Sequence, residues 1–223
     1  MTLPQRSVLD QRLNILNEQL LQMSSLVDIA IERAMFSLYE RDIAVAAEVV
    51  AADQVLNDLR YAAEDEALQI LATQQPMAGD LRKVVAAIHL AVELERIGDH
   101  ASGIASLVER MEAEEAIESL HKLPKMAKRA KEMVQMAVEA YMTNDEKLAY
   151  SMMTKDDKID RQYRRLFKET MKEMRDDDYI RRATFLLWVG HDLERIGDRA
   201  TNIAERVIFM VSGDHVEFLS NVD

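Results

Sequence analysis

The chain has 223 residues, 48% of them hydrophobic, with 6 Gly, 3 Pro, no Cys and a net charge of −12. That length can bury a core in one or two domains, and the lack of cysteine excludes disulfides, thiolate nucleophiles and thiolate metal sites. The acidic balance and 5% aromatic content speak against nucleic-acid binding, which needs cations for phosphates and rings for bases.

Few breakers, and an abundance of Ala, Leu, Met, Glu, Lys and Arg, predict an all-α protein. Prolines and polar clusters divide it into six long helices. The first is expected over 7–39, the second over 43–73 before Pro76, and the third over 77–112. A charged connector at 113–122 precedes a fourth helix opened by Pro124. Asn144-Asp145 end that helix and cap a fifth reaching Met174. The acidic run 176–178 caps the sixth, which Ser212-Gly213 stop. No apolar run approaches the roughly 18 residues of a membrane span, and residues 1–6 lack the apolar core of a signal peptide. A cytoplasmic location is expected.

The chain writes one stretch twice. Glu95-Arg96-Ile97-Gly98-Asp99 returns as Glu194-Arg195-Ile196-Gly197-Asp198, at an offset of 99 residues. Leu94/Leu193, Ala101/Ala200, Ile104/Ile203, Ala105/Ala204 and Arg82/Arg181 match at the same offset. A second register, at an offset of 103, pairs Ala34/Ala137, Asp42/Asp145, Ala46/Ala149 and Asp53/Asp156. The chain is therefore an internal duplication, and we divide it at 1–113 and 114–223. The simplest architecture is two tandem three-helix bundles, end to end or side by side. Helix three carries the 3-4 seam Ala87, Leu90, Leu94, Ile97, Ala101, Ile104 and Val108. Helix six repeats it as Leu186, Val189, Leu193, Ile196, Ala200, Ile203 and Val207. A glycine inside each seam costs about 1 kcal/mol relative to alanine, so something near Gly98 and Gly197 needs the missing side chain.

Glu95 and Asp99 share a helix face, as do Glu194 and Asp198. That face is apolar upstream, through Leu81, Val84, Val85, Ile88 and Val92 in one copy and Ile180, Ala183 and Leu187 in the other. A solvated face would be polar throughout. The preceding helices add oxygen ligands at the same spacing, Asp53 with Asn57 and Asp156 with Asp160. If those helices are antiparallel neighbours, four oxygen-bearing side chains meet in each copy. Like charges that close need a cation or raised pKa values. The hard donor set fits Mg²⁺, Ca²⁺, Mn²⁺ or iron rather than structural zinc. The second set has four carboxylates where the first has three and an amide, and its stripe continues through Asn202 and Glu205. It is expected to hold metal more tightly, or more metal.

Other residues offer less. His191 lies on the acidic stripe but its counterpart is Val92, so a hydrogen-bonded, partly buried histidine outweighs a ligand. The single Glu118-x-x-His121 is a chance match, since di-iron bundles need the motif twice. Arg96 and Arg195 are expected to salt-bridge locally, and the 14 methionines are core filler. No Gly-rich phosphate loop or nucleophile elbow is present.

The doubled Leu-Glu-Arg-Ile-Gly-Asp, the Asp-x-x-x-Asn and Asp-x-x-x-Asp pairs, and Asp198-Arg-Ala-Thr-Asn-Ile-Ala-Glu205 resemble the PhoU family of bacterial phosphate-uptake regulators, over essentially the whole chain. The resemblance implies metal clusters on Glu95/Asp99 and Glu194/Asp198, joined by Asp53/Asn57 and Asp156/Asp160. Asn57 departs from the acidic pattern. It also implies a non-enzymatic, often dimeric adaptor between the ATPase subunit of a phosphate ABC transporter and a membrane sensor histidine kinase, repressing the starvation response when phosphate is plentiful. A carboxylate-bridged metalloenzyme, oxidase or hydrolase, is the alternative. An acidic structural bundle is the blander one. No histidine or lysine is duplicated beside the carboxylates to serve as acid or base, which weighs against the enzyme.

Overall fold

The computed structural model describes residues 3–112, 120, 122–174 and 177–218. The connector motif Glu118-x-x-His121 and the start of the acidic run at Asp176 lie outside the described residues. The helices are α1 (Leu3–Glu40), α2 (Ile43–Gln74), α3 (Gly79–Arg110), α4 (Leu123–Thr143), α5 (Glu146–Met153), α6 (Asp156–Glu173) and α7 (Asp177–Ser212), with no strand among the described residues. None is long and apolar enough to cross a membrane.

The duplicated Asp42 and Asp145 are N-caps. Asp42 Oδ1 accepts from Val45 N and Asp145 Oδ1 from Leu148 N, each at 3.0 Å, which satisfies one orphan donor of α2 and one of α5. Each cap follows a left-handed residue, Arg41 (φ 57°) or Asn144 (φ 53°), again 103 apart. Asparagine tolerates that conformation. Arg41 is anchored instead, its guanidinium donating to Met111 O at 3.0 Å and Glu112 O at 3.1 Å.

The expected fifth helix is broken in two. Where the first copy has Ala51-Ala52, the second has Thr154-Lys155. The Thr154 hydroxyl donates to Ser151 O at 2.8 Å and Lys155 N to Met152 O at 2.8 Å, three residues back rather than four. This local competition with the helical ladder ends α5 and makes Asp156 the first residue of α6.

Both expected seams are buried along their whole length. α1, α2 and α3 pack together; α4, α5 and α6 pack on α7; and α3 lies against α7. The bundles are therefore side by side, sharing one continuous apolar core. Two crossed polar pairs tie α3 to α7: His100 Nδ1 lies 3.1 Å from Asp192 Oδ1, and Arg199 Nη1 lies 3.5 Å from Glu93 Oε2. Residues 93 and 192 match at an offset of 99, as do 100 and 199, so the second pair is the first under the internal repeat.

The shared glycines now have a cause. A Cβ on Gly98 would lie 2.4 Å from Leu56 Cδ1, and one on Gly197 would lie 3.2 Å from Ile159 Cγ2. Leu56 and Ile159 are themselves counterparts at 103. Each glycine lets α2 or α6 approach α3 or α7, and so sets the distance between the two halves of each acidic cluster. Gly98→Ala is expected to lower stability by about 1–2 kcal/mol, because overpacking against buried Leu56 outweighs the gain in helix propensity. In a Leu56→Ala background the same change should cost less, which a urea double-mutant cycle measures.

Candidate metal centre

The second cluster sits between the start of α6 and the middle of α7. Asp156 is 5% exposed, at the helix end where the macrodipole favours a carboxylate. The Thr201 hydroxyl donates to Asp156 Oδ1 at 3.1 Å. Asp156, Asp160 and Asp198 can each offer one oxygen within 4.8 Å of the others. Asp160 Oδ1 is buried without a hydrogen-bond donor, and Arg195 donates to Asp198 Oδ2 at 2.8 Å.

Glu194 flanks this trio. Burial, then the charges of Asp198 and Asp160, push its carboxyl up to about 7. Burial, then Asp160 and Asp198, push Asp156 up to about 6. Asp160 is raised by burial and Asp198. Asp198 is raised because burial outweighs its arginine neighbours.

The first cluster is looser. Asp53 Oδ1 is buried without a donor, and burial followed by the charge of Asp99 raises Asp53. Burial and Asp99 likewise raise Glu95. The Asn57 amide lies 3.4 Å from Asp53 Oδ2, while Asp99 is exposed. Among the described residues, only the second copy brings three carboxylates within the mutual reach of one cation.

A hard cation fits what both clusters lack. Each contains a buried carboxylate oxygen with no donor, and such a group costs about 1–3 kcal/mol or more if left unsatisfied. Each also contains carboxyls driven toward neutrality by burial and then by neighbouring carboxylates. Oxygen-only donor sets suit Mg²⁺, Ca²⁺, Mn²⁺ or iron.

The family model of the PhoU domain matches residues 20–108 and 123–207. The chain belongs to the PhoU family. It is 31% identical, over 95% of its length and 98% of the relative's, to the phosphate-specific transport system accessory protein PhoU homolog of Clostridium acetobutylicum. Its fold matches the crystal structure of PhoU from Pseudomonas aeruginosa with a TM-score of 0.86 at 33% identity, covering 92% of this chain and 99% of that one. The phosphate transport system regulatory protein PhoU of Streptococcus pneumoniae gives 0.87 at 30% identity, covering 94% and 100%.

Within this PhoU fold the two clusters differ at a position that the repeated motif does not contain. Arg60 Nε approaches Glu95 Oε1 at 3.5 Å, and Arg60 also pairs with Glu64 at 2.8 Å. Its counterpart at 103 is Tyr163, a phenol that burial and the charge of Glu194 hold protonated above its ordinary range. The first cluster thus has a guanidinium from the α2 side beside Glu95, whereas in the second the guanidinium of Arg195 stands on Asp198 and position 163 brings none to Glu194. The offset that pairs Asp53 with Asp156 also pairs Arg60 with Tyr163, but a search for identities passes over them. Thr201 was missed for the same reason, its counterpart being Ser102.

Two further expectations meet the structure here. His191 is exposed, its Nδ1 lying 3.6 Å from Glu194 Oε2, outside the three-carboxylate group. Glu205 Oε1 accepts the backbone N–H of Phe218 at 2.7 Å, so in this structure that carboxylate holds the segment after α7.

Proposed function

We propose that this chain is a metal-loaded, non-enzymatic accessory protein of a phosphate-specific transport system, repressing uptake and starvation signalling when phosphate is plentiful. Its relatives are named accessory and regulatory proteins of phosphate transport, which supports the role and speaks against an enzyme. The partners under this reading are the transporter's ATPase subunit and a sensor histidine kinase, met in the cytoplasm by a homodimer. The family matches at 20–108 and 123–207 support a repeat boundary between 113 and 114.

The observation that carries the metal part is the grouping of Asp156, Asp160 and Asp198 around an oxygen with no donor. There a cation would supply the positive charge the side chains lack. Asp156 and Asp160, with Glu194 and Asp198, would hold it in the second copy; Asp53, Asn57, Glu95 and Asp99 would hold it in the first. Because the ligands come from two helices, loading fixes α6 to α7 and α2 to α3, giving partners a rigid scaffold to read.

Elemental analysis of gently purified protein, beside a pull-down with the transporter ATPase, tests this. Bound metal and ATPase capture are expected, with the second cluster's share of the metal and the capture lost together in Glu194→Ala/Asp198→Ala. Turnover of phosphate esters by the loaded protein, abolished in Glu194→Ala, would replace the adaptor with a hydrolase.

A further inference from the structure

Far from both acidic clusters in sequence, the middle and end of α1 and the start of α4 enclose an open groove of about 510 Å³. Its walls are apolar: Met35, Phe36 and Tyr39 from α1, and Leu120, Pro124 and Ala127 from the α4 side. Phe36 is 52% exposed and Tyr39 70%, in a chain with few aromatic residues. The second repeat does not keep the feature, since Phe36 corresponds at 103 to Glu139. Packing of the duplicated bundle therefore does not require this ring.

Apart from Glu32, which Lys131 pairs, the charged rim is basic although the chain is acidic. From Lys122 through Lys131 the sequence carries five cations and no acidic residue. Lys131 is paired with Glu32, and Lys122 lies 3.9 Å from Glu169. Lys125, Lys128 and Arg129 have no ion-pair partner among the described residues. The N-terminus of α4 adds the positive end of its macrodipole on the same side.

We propose that this groove docks an acidic amphipathic helix of a partner protein, its apolar side chains entering between Phe36, Tyr39 and Ala127 and its carboxylates meeting Lys125, Lys128 and Arg129. Apolar anchors spaced along one helix face suit an elongated groove, and the charge complementarity steers and orients the encounter. A lipid surface is the poorer match. Membrane-binding segments lay rings on a protruding face, whereas here the apolar surface is concave. The inference does not depend on metal loading or on the identity of the transport partners.

The test uses the full chain and two designed helical peptides, both with leucines at i, i+3/i+4 and i+7. One carries glutamates on the remaining face and the other carries lysines; vesicles of anionic phospholipid form a third arm. Fluorescence anisotropy should show the glutamate peptide binding about tenfold or more tightly than the lysine peptide, and weakening as salt rises. Lys125→Glu/Lys128→Glu and, separately, Phe36→Ser/Tyr39→Ser should each weaken binding about tenfold or more. Because all four side chains are exposed, the thermal melt should be unchanged. No binding of the glutamate peptide, equal binding of both peptides, or binding indifferent to these substitutions would overturn the proposal. So would vesicle binding abolished by the lysine changes in the absence of peptide binding, which would make the patch a membrane contact.

Discussion

Tyr163→Arg should weaken metal binding at the second cluster by about 100-fold, and Arg60→Tyr should strengthen it at the first by about tenfold. The structure has already placed an arginine in the equivalent position once, where Arg60 Nε stands 3.5 Å from Glu95 Oε1. A guanidinium there neutralises a ligand carboxylate and repels an incoming cation. Two unit charges about 4 Å apart interact by about 4 kcal/mol at the effective dielectric of a partly exposed site. Changes to groups that orient or compete for metal ligands typically move affinity 10–100-fold. Isothermal titration of each variant with Mn²⁺, at fixed pH and salt, separates the two effects. Unchanged affinity at the second site in Tyr163→Arg would mean that this position does not set the difference between the clusters.

Metal removal should destabilise the protein strongly at alkaline pH and weakly in acid. An isolated glutamate carboxyl titrates near 4.5, whereas Glu194 in the folded metal-free cluster is pushed up to about 7 and Asp156 to about 6. Between those limits the unfolded chain releases protons that the folded chain keeps. The stability of metal-free protein therefore falls as pH rises through this window, and the full penalty remains above it. Below the window both states are protonated and the penalty vanishes. A bound cation displaces these protons and reverses the trend. At a metal concentration near 100 times Kd, linkage contributes about 2.7 kcal/mol, or about 5–10 °C in Tm for a chain of this size. Scanning calorimetry with and without EDTA should show that gap at about pH 8 and a much smaller one at about pH 5.5. A gap independent of pH would separate metal binding from Glu194 and Asp156.

How much of this was legible beforehand follows from what repetition preserves. The seams stand at a fixed offset as apolar residues, and the Asp42/Asp145 caps and the close-packed Gly98/Gly197 as identical ones, and each has a local physical meaning. The candidate carboxylates Asp53/Asp156, Glu95/Glu194 and Asp99/Asp198 could be picked out for the same reason, while Asn57 and Asp160 differ. What escaped was set by differences between the copies, or by contacts that no periodicity encodes. Thr154 breaks the fifth helix through one hydroxyl bond to Ser151 O, which ordinary helix propensity does not anticipate. Arg60 and Tyr163 differ, so matching identical residues passed over the position at which the two clusters diverge. The seams predicted a partner helix but not which one. The crossed pairs His100–Asp192 and Glu93–Arg199 show how α3 and α7 are fixed to each other.

Under the proposed function both repeats hold hard cations on side chains from two helices, the second more tightly. Titration of metal-free protein with Mn²⁺, followed by electron paramagnetic resonance in wild type, Asp53→Asn and Asp160→Asn, tests it most directly. Two classes of site are predicted, the tighter one lost in Asp160→Asn and the weaker one lost in Asp53→Asn. A tighter class that survives Asp160→Asn, or one that disappears in Asp53→Asn, would contradict it.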